Sequence, residues 1–405
     1  MLLPRRNAAG QHACTRVRGR WGVEAMRLRH ADGQLIHLAY CSNVHPADDL
    51  DGVVAQLERY AAPVRERLGV DALGVGLWVA RPALDDPEAG KRLVGELRRL
   101  GLEVVTLNGF PYRGFHDPVV KHSVYLPSWA DPRRRYYTVG LAHLLAGLLP
   151  DDVAEGSIST LPLGWREKWG QGAHDAARAA LEAVADDLGR LEQRTGKRIR
   201  VALEPEPGCT IETVEQAADF LADLAPEWVG ICLDACHLAV QFEDAEGAVE
   251  RLAAAGVPVV KAQISSALRV PEPGSDAGRS LLREFDEPRF LHQVRERVNG
   301  HVTGADDLPG ALAGELPGER EWRVHFHVPV HAAEHTTRDE LEATLAALVG
   351  GEHPATRHLE VETYTWTVLP DGGDPDDERL IDGLASELAW TRDRLVELGA
   401  EQVVA

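Results

Sequence analysis

The chain has 405 residues, with 43 Lys and Arg against 64 Asp and Glu and a formal net charge of −21. That balance argues against a partner with a phosphate backbone or an anionic membrane surface, since either needs clustered basic side chains. No run approaches the ~20 apolar residues that span a bilayer. The five scattered cysteines argue against a disulfide framework and for a reducing cytoplasm. Residues 1–25 show neither helix nor strand period, and Arg stands where a secretory segment has its apolar centre. They are expected to be a disordered extension, or to lie ahead of the true start at Met26.

From residue 36, short apolar runs alternate with longer amphipathic segments. The strand candidates are IHLAYCSNVH (36–45), LGVGLWVA (73–80), EVVTLNGFPY (103–112), GSISTLPLGW (156–165), IRVALEPEPG (199–208), WVGICLDACHLAV (228–240) and VPVVKAQISSAL (257–268). Helical periods fill the gaps, as at 50–69, 86–101, 132–149, 173–196, 211–225 and 244–256. Seven strands alternating with six helices mean parallel pairing. Residues 269–320 are rich in Pro, Gly and charge and read as an irregular insertion. EWRVHFHVPVH (321–331), a helix over 337–350, RHLEVETYTW (357–366) and a terminal helix over 376–399 complete the chain.

The predicted fold is an α/β class (β/α)8 TIM barrel, one domain over residues 26–405, with the insertion after strand seven. LEVETY is the expected eighth strand, and VHFHVPVH either extends the strand-seven region or sits over the barrel mouth. No GxGxxG follows the first strand and no GxxxxGK[ST] occurs, which disfavours a doubly wound nucleotide-binding sheet.

In such barrels the active site lies at the C-terminal ends of the strands. Polar residues end these apolar runs: Asn43 and His45, Asn108, Glu204 and Glu206, Asp234 and His237, Lys261 and Gln263, then His325, His327 and Glu362. Any one of them has an ordinary explanation as a helix cap, a surface pair or a hydrogen-bonded core residue. Carboxylates converging at one mouth repel each other, and a divalent cation resolves the repulsion. Mixed Glu, Asp, His and amide ligands suit Mn²⁺, Mg²⁺, Zn²⁺ or Co²⁺. The cysteines Cys232 and Cys236 have no second pair and give little support to a thiolate zinc site.

Side chains two apart share a face of a strand, so Glu360 and Glu362 both point into the lumen, with Glu360 deeper and suited to hold a basic residue. His325 and His327 likewise share a face. Glu204, Asp234 and Glu362 are the expected metal ligands, with a fourth from Gln263, His325 or His327. His237, three residues after Asp234, is expected to touch substrate, with Glu206 or Lys261 next in line for proton transfer and His327 a further catalytic candidate.

LEPEPG, LDACH, KAQIS and LEVETY, in that order, resemble the xylose isomerase-like superfamily of barrels. That resemblance implies a metal held by Glu204, Asp234, a strand-seven ligand and Glu362. Lys261 and Gln263 stand where the sugar epimerases carry His, so the imidazole must come from His325 or His327, or Gln263 must substitute as an amide ligand. LAYCSNVHPA, VYLPSW, STLPLGWR, LEPEPGC, CLDACHLAV, KAQISSAL, HFHVPVH and HLEVETYTWTVLP further resemble the EboE-type metabolite traffic proteins. What this implies is an isomerase- or epimerase-like step on a sugar- or polyol-like small molecule, in the making or export of a specialised metabolite. It also implies partners among membrane-bound proteins of the same pathway. A barrel that binds a metabolite without turnover, or a metal-dependent hydrolase or lyase, is the alternative. The net charge disfavours the DNA-repair branch of the superfamily.

Overall fold

The computed structural model describes residues 24–370 and 376–404. Its strands are β1 (Glu24–Arg29), β2 (Leu35–Cys41), β3 (Leu73–Trp78), β4 (Leu102–Asn108), β5 (Glu155–Thr160), β6 (Arg198–Leu203) and β7 (Val229–Asp234). Then come β8 (Val259–Ile264), β9 (Ala267–Val270), β10 (Val294–Val298), β11 (His301–Ala305), β12 (Trp322–His327), β13 (His358–Val361) and β14 (Glu401–Val404). β2 to β8 pair in parallel in chain order, β13 pairs with β8, and β13 closes on β2. The result is a closed barrel of eight parallel strands with helices between them, the (β/α)8 arrangement the sequence periods predict. β7 and β8 are buried along their whole length, and their lumen faces carry Asp234, Lys261 and Gln263.

The N-terminal boundary differs slightly from expectation. β1 starts at Glu24 and runs antiparallel to the beginning of β2 and to β14. The remainder of the stretch expected to be a disordered extension, residues 1–23, lies outside the described residues. Met26 packs in the core with an exposure of 1 %.

The expectation of an irregular insertion needs correction. β9, β10, β11 and β12 form a separate antiparallel sheet, and the helix Asp276–Glu284 packs with it. Leu268, Val270, Leu282, Val294, Trp322 and Phe326 make its own apolar core. The pairings of β12 with β9 and β10 join residues far apart in sequence, which local periodicity cannot register. VHFHVPVH is therefore not a barrel strand: its first half is β12 of this sheet. Among the described residues no helix is long and apolar enough to cross a membrane.

Candidate metal centre and mouth

Two layers of polar side chains stack in the barrel lumen. In the lower layer Lys261 of β8 is hydrogen-bonded to Glu360 of β13, and both are fully buried. Gly76 of β3 makes room for this pair, because a Cβ there would stand 2.1 Å from the Glu360 carboxyl carbon. Glu360 thus holds a basic residue, as its depth suggests. Lys261, expected as a candidate for proton transfer, is committed to that bond and does not line the mouth cavity.

The upper layer lies two residues further along the strands. Glu204 follows β6, Asp234 ends β7 and Glu362 follows β13, and one carboxylate oxygen of each lies within 4.8 Å of the others. All three are buried. Glu362 Oε1 accepts from Asn43 Nδ2 at 2.7 Å and from Asn108 Nδ2 at 3.0 Å. Asp234 Oδ1 accepts from Ser265 Oγ at 2.8 Å and caps the helix Ala235–Val240 through the His237 N–H at 2.9 Å. Capping uses only one oxygen. Asp234 Oδ2 and Glu204 Oε2 are buried without a partner. Burial, then the charge of the neighbouring carboxylates, pushes Glu204 well above the carboxylate range and Glu362 up to about 8.

The donors around this triad suit a cation. Gln263 of β8 is fully buried with both ends of its amide unpartnered. His327 Nδ1 lies 2.8 Å from the Glu362 carbonyl oxygen, so the ring proton belongs there and the unpartnered Nε2 presents a lone pair. Burial holds His327 down to about 4, hence neutral. A ligand atom of His327 lies within 4.8 Å of ligand atoms of Asp234 and His237. Buried polar atoms left unpaired cost free energy, and a divalent ion satisfies several at once.

A second cluster lies above the first. His237 Nδ1 faces the Pro205 carbonyl at 2.9 Å, and His325 Nδ1 faces Gln293 Oε1 at 2.7 Å. Both Nε2 atoms then offer lone pairs, yet they stand 3.0 Å apart. Such a pair repels unless a proton or a cation lies between. Glu206 joins them, its Oε1 accepting from Tyr125 OH at 2.6 Å. Of the two histidines weighed as fourth ligand, His325 belongs to this upper cluster, while His327 stands beside Asp234.

The sequence reading missed Ser265, Gln293, Tyr125 and Tyr364. The alternation in HQVRERV (292–298) was the available signal for Gln293, read only as a fragment of an irregular stretch. Tyr364 packs against His327, with ring centroids 4.6 Å apart and the planes tilted by 51°. A cavity open to solvent lies over both clusters. Glu204, Glu206, His237, His325, His327 and Glu362 all reach it.

The family model of the xylose isomerase-like TIM barrel matches residues 64–303, more than half of the chain. A search of curated protein sequences gives no match. Similar solved structures include D-psicose 3-epimerase with D-tagatose from Clostridium cellulolyticum H10, at 15 % identity, 88 % of this chain and 99 % of that chain covered and a TM-score of 0.46. A xylose isomerase-like TIM barrel protein from Mycobacterium smegmatis in complex with magnesium has 15 % identity, 93 % and 97 % coverage and a TM-score of 0.48. The IOLI protein with a zinc atom has 13 % identity, 89 % and 98 % coverage and a TM-score of 0.48. With eight parallel strands closed into a barrel and this match, the chain belongs to the xylose isomerase-like TIM barrel family.

Proposed function

We propose that the protein is a metal-dependent isomerase or epimerase acting on a hydroxycarbonyl compound of sugar or polyol type. The observation that carries this reading is the triad Glu204, Asp234 and Glu362, which has unpartnered buried oxygens. We assign the divalent ion to these three carboxylates, with His327 Nε2 and Gln263 as the further donors. The ion supplies Lewis acidity toward a carbonyl oxygen and its neighbouring hydroxyl, which acidifies the C–H between them. Which of Mn²⁺, Mg²⁺, Zn²⁺ or Co²⁺ serves is open to all four by ligand type.

The chain's own residues divide the remaining work. Asn43 and Asn108 orient Glu362. His237 and His325 face the cavity beside the triad and are placed to bind substrate oxygens. Glu206 faces the same cavity, held by Tyr125 and Gln293, and burial raises its affinity for a proton. We assign it the transfer of the proton at the carbon next to the carbonyl. We place this activity in the cytoplasm, in the making or export of a specialised metabolite, on the strength of the EboE-type sequence resemblance. Membrane-bound partners in the same pathway fall under the same proposal.

The test is metal analysis of purified protein, followed by solvent-deuterium exchange into candidate hydroxyketones. The expected result is a stoichiometric divalent ion and deuterium at the carbon beside the carbonyl. Bound metal and bound ligand without exchange would favour a binding or traffic role instead.

A further inference from the structure

The cavity is lined by two groups of side chains, one polar and one apolar. The carboxylates and imidazoles make up its floor; Phe110, Phe115, Val120, Val124, Phe290 and Leu291 make up its wall. Phe115, Phe290 and Tyr364 pack mutually, with ring centroids 4.9–5.5 Å apart. They belong to an apolar cluster separate from the barrel core. Lys121 is the one charged side chain on this wall, and it is tied to Asp307. No buried unpartnered donor or acceptor belongs to a wall residue among those described.

The wall is also preformed. The backbone N–H groups of Val120 and Lys121 donate to the Arg289 carbonyl at 2.7 and 3.0 Å. The Arg289 bonds join the loop after β4 to the segment before β10, and the Lys121–Asp307 pair joins it to the segment after β11. A free sugar would press its outer hydroxyls against rings that cannot replace the water they lose. An aromatic or alkyl group gains by the same contact.

We propose that the substrate is amphipathic: a hydroxycarbonyl head on the carboxylate and histidine floor, and an aromatic or alkyl body against the Phe115–Phe290–Tyr364 wall. This rests on the hydroxycarbonyl reading above and names the class within it. The test compares three probes by calorimetry on manganese-loaded protein: α-hydroxyacetophenone, hydroxyacetone and D-fructose. The phenyl ketone is expected to bind at least about tenfold more tightly than either of the others. Equal or tighter binding of D-fructose, or no binding of the phenyl ketone at millimolar concentration, overturns the proposal.

Phe115→Asn and Phe290→Asn are expected to erase the preference for the phenyl ketone. Phe115→Leu, a milder change, should keep most of it, and thermal melts identify any variant that has lost its fold. Retention of the full preference in folded Phe115→Asn and Phe290→Asn also overturns the proposal. Manganese content is measured on the same samples. Protein that binds none of Mn²⁺, Mg²⁺, Zn²⁺ and Co²⁺ refutes the metal reading, while the probe preference still decides this one, since the wall contains no proposed ligand.

Discussion

Glu360 lies on β13 and Glu362 just past its end, two residues apart and facing the same lumen, and their surroundings are opposite. Glu360 has its counter-charge built in, as Lys261 of the neighbouring strand. Glu362 has two amides, two further carboxylates nearby, and Gln263 where a second lysine would have served. The lower layer is electrically closed by the chain itself; the upper layer gathers three carboxylates with unpartnered oxygens. Charge without an internal partner, held rigidly at the mouth of a barrel, is what distinguishes a site from a core.

The comparison can be broken hardest from below. Lys261→Met strands Glu360 in the lumen and is expected to cost about 3–5 kcal/mol of stability in urea unfolding. Replacing both Lys261 and Glu360 by Met should recover most of that loss. If the single variant is as stable as the parent, the lower layer is not the closed pair described here.

The next effect is on pH dependence without metal. Glu362 has its folded pKa raised from 4.5 to about 8, and Glu204 is raised as well. The folded state therefore keeps protons that the unfolded chain releases. The stability this gives is fully present below pH 4.5 and is lost as pH rises through about 8. Chelated protein should lose on the order of 2 kcal/mol across that window, and saturating Mn²⁺ should flatten the slope. A flat profile in chelated protein would mean that the triad is not mutually repelling.

Glu362→Gln sharpens the same point with a smaller change. Glutamine keeps an acceptor for Asn43 and Asn108 and removes one negative charge. Metal content should fall sharply, while the chelated protein gains about 1 kcal/mol of stability above pH 8, where Glu362 is otherwise charged. Unchanged metal occupancy would remove Glu362 from the ligand set.

The smallest expected effect is in the upper cluster. The Tyr125 hydroxyl, by donating to Glu206, lowers the proton affinity that burial raises. Tyr125→Phe should move the acidic limb of the exchange rate to higher pH and slow exchange severalfold. A pH profile that does not move would separate Glu206 from proton transfer.

Much of this architecture can be read from the sequence for a physical reason. Strand and helix periods are local, and the alternation of faces along a strand is strict, so runs such as RIRVALE and HLEVE announce both a barrel and the side chains its lumen receives. Glu204, Asp234 and Glu362 follow from position alone, because each stands at the C-terminal end of a parallel strand. What local pattern does not contain is the partner. Lys261 looks the same in sequence whether it is a catalyst or a counter-ion, and only Glu360, 99 residues away, decides the matter. The insertion becomes a sheet only when β9 meets β12 across the chain. That pairing places His325 above His237, 88 residues earlier, and sets His327 beside Asp234. Side-chain charge and strand phase are properties of the chain; which charge is neutralised, and by whom, is a property of contacts that exist only once the barrel has closed.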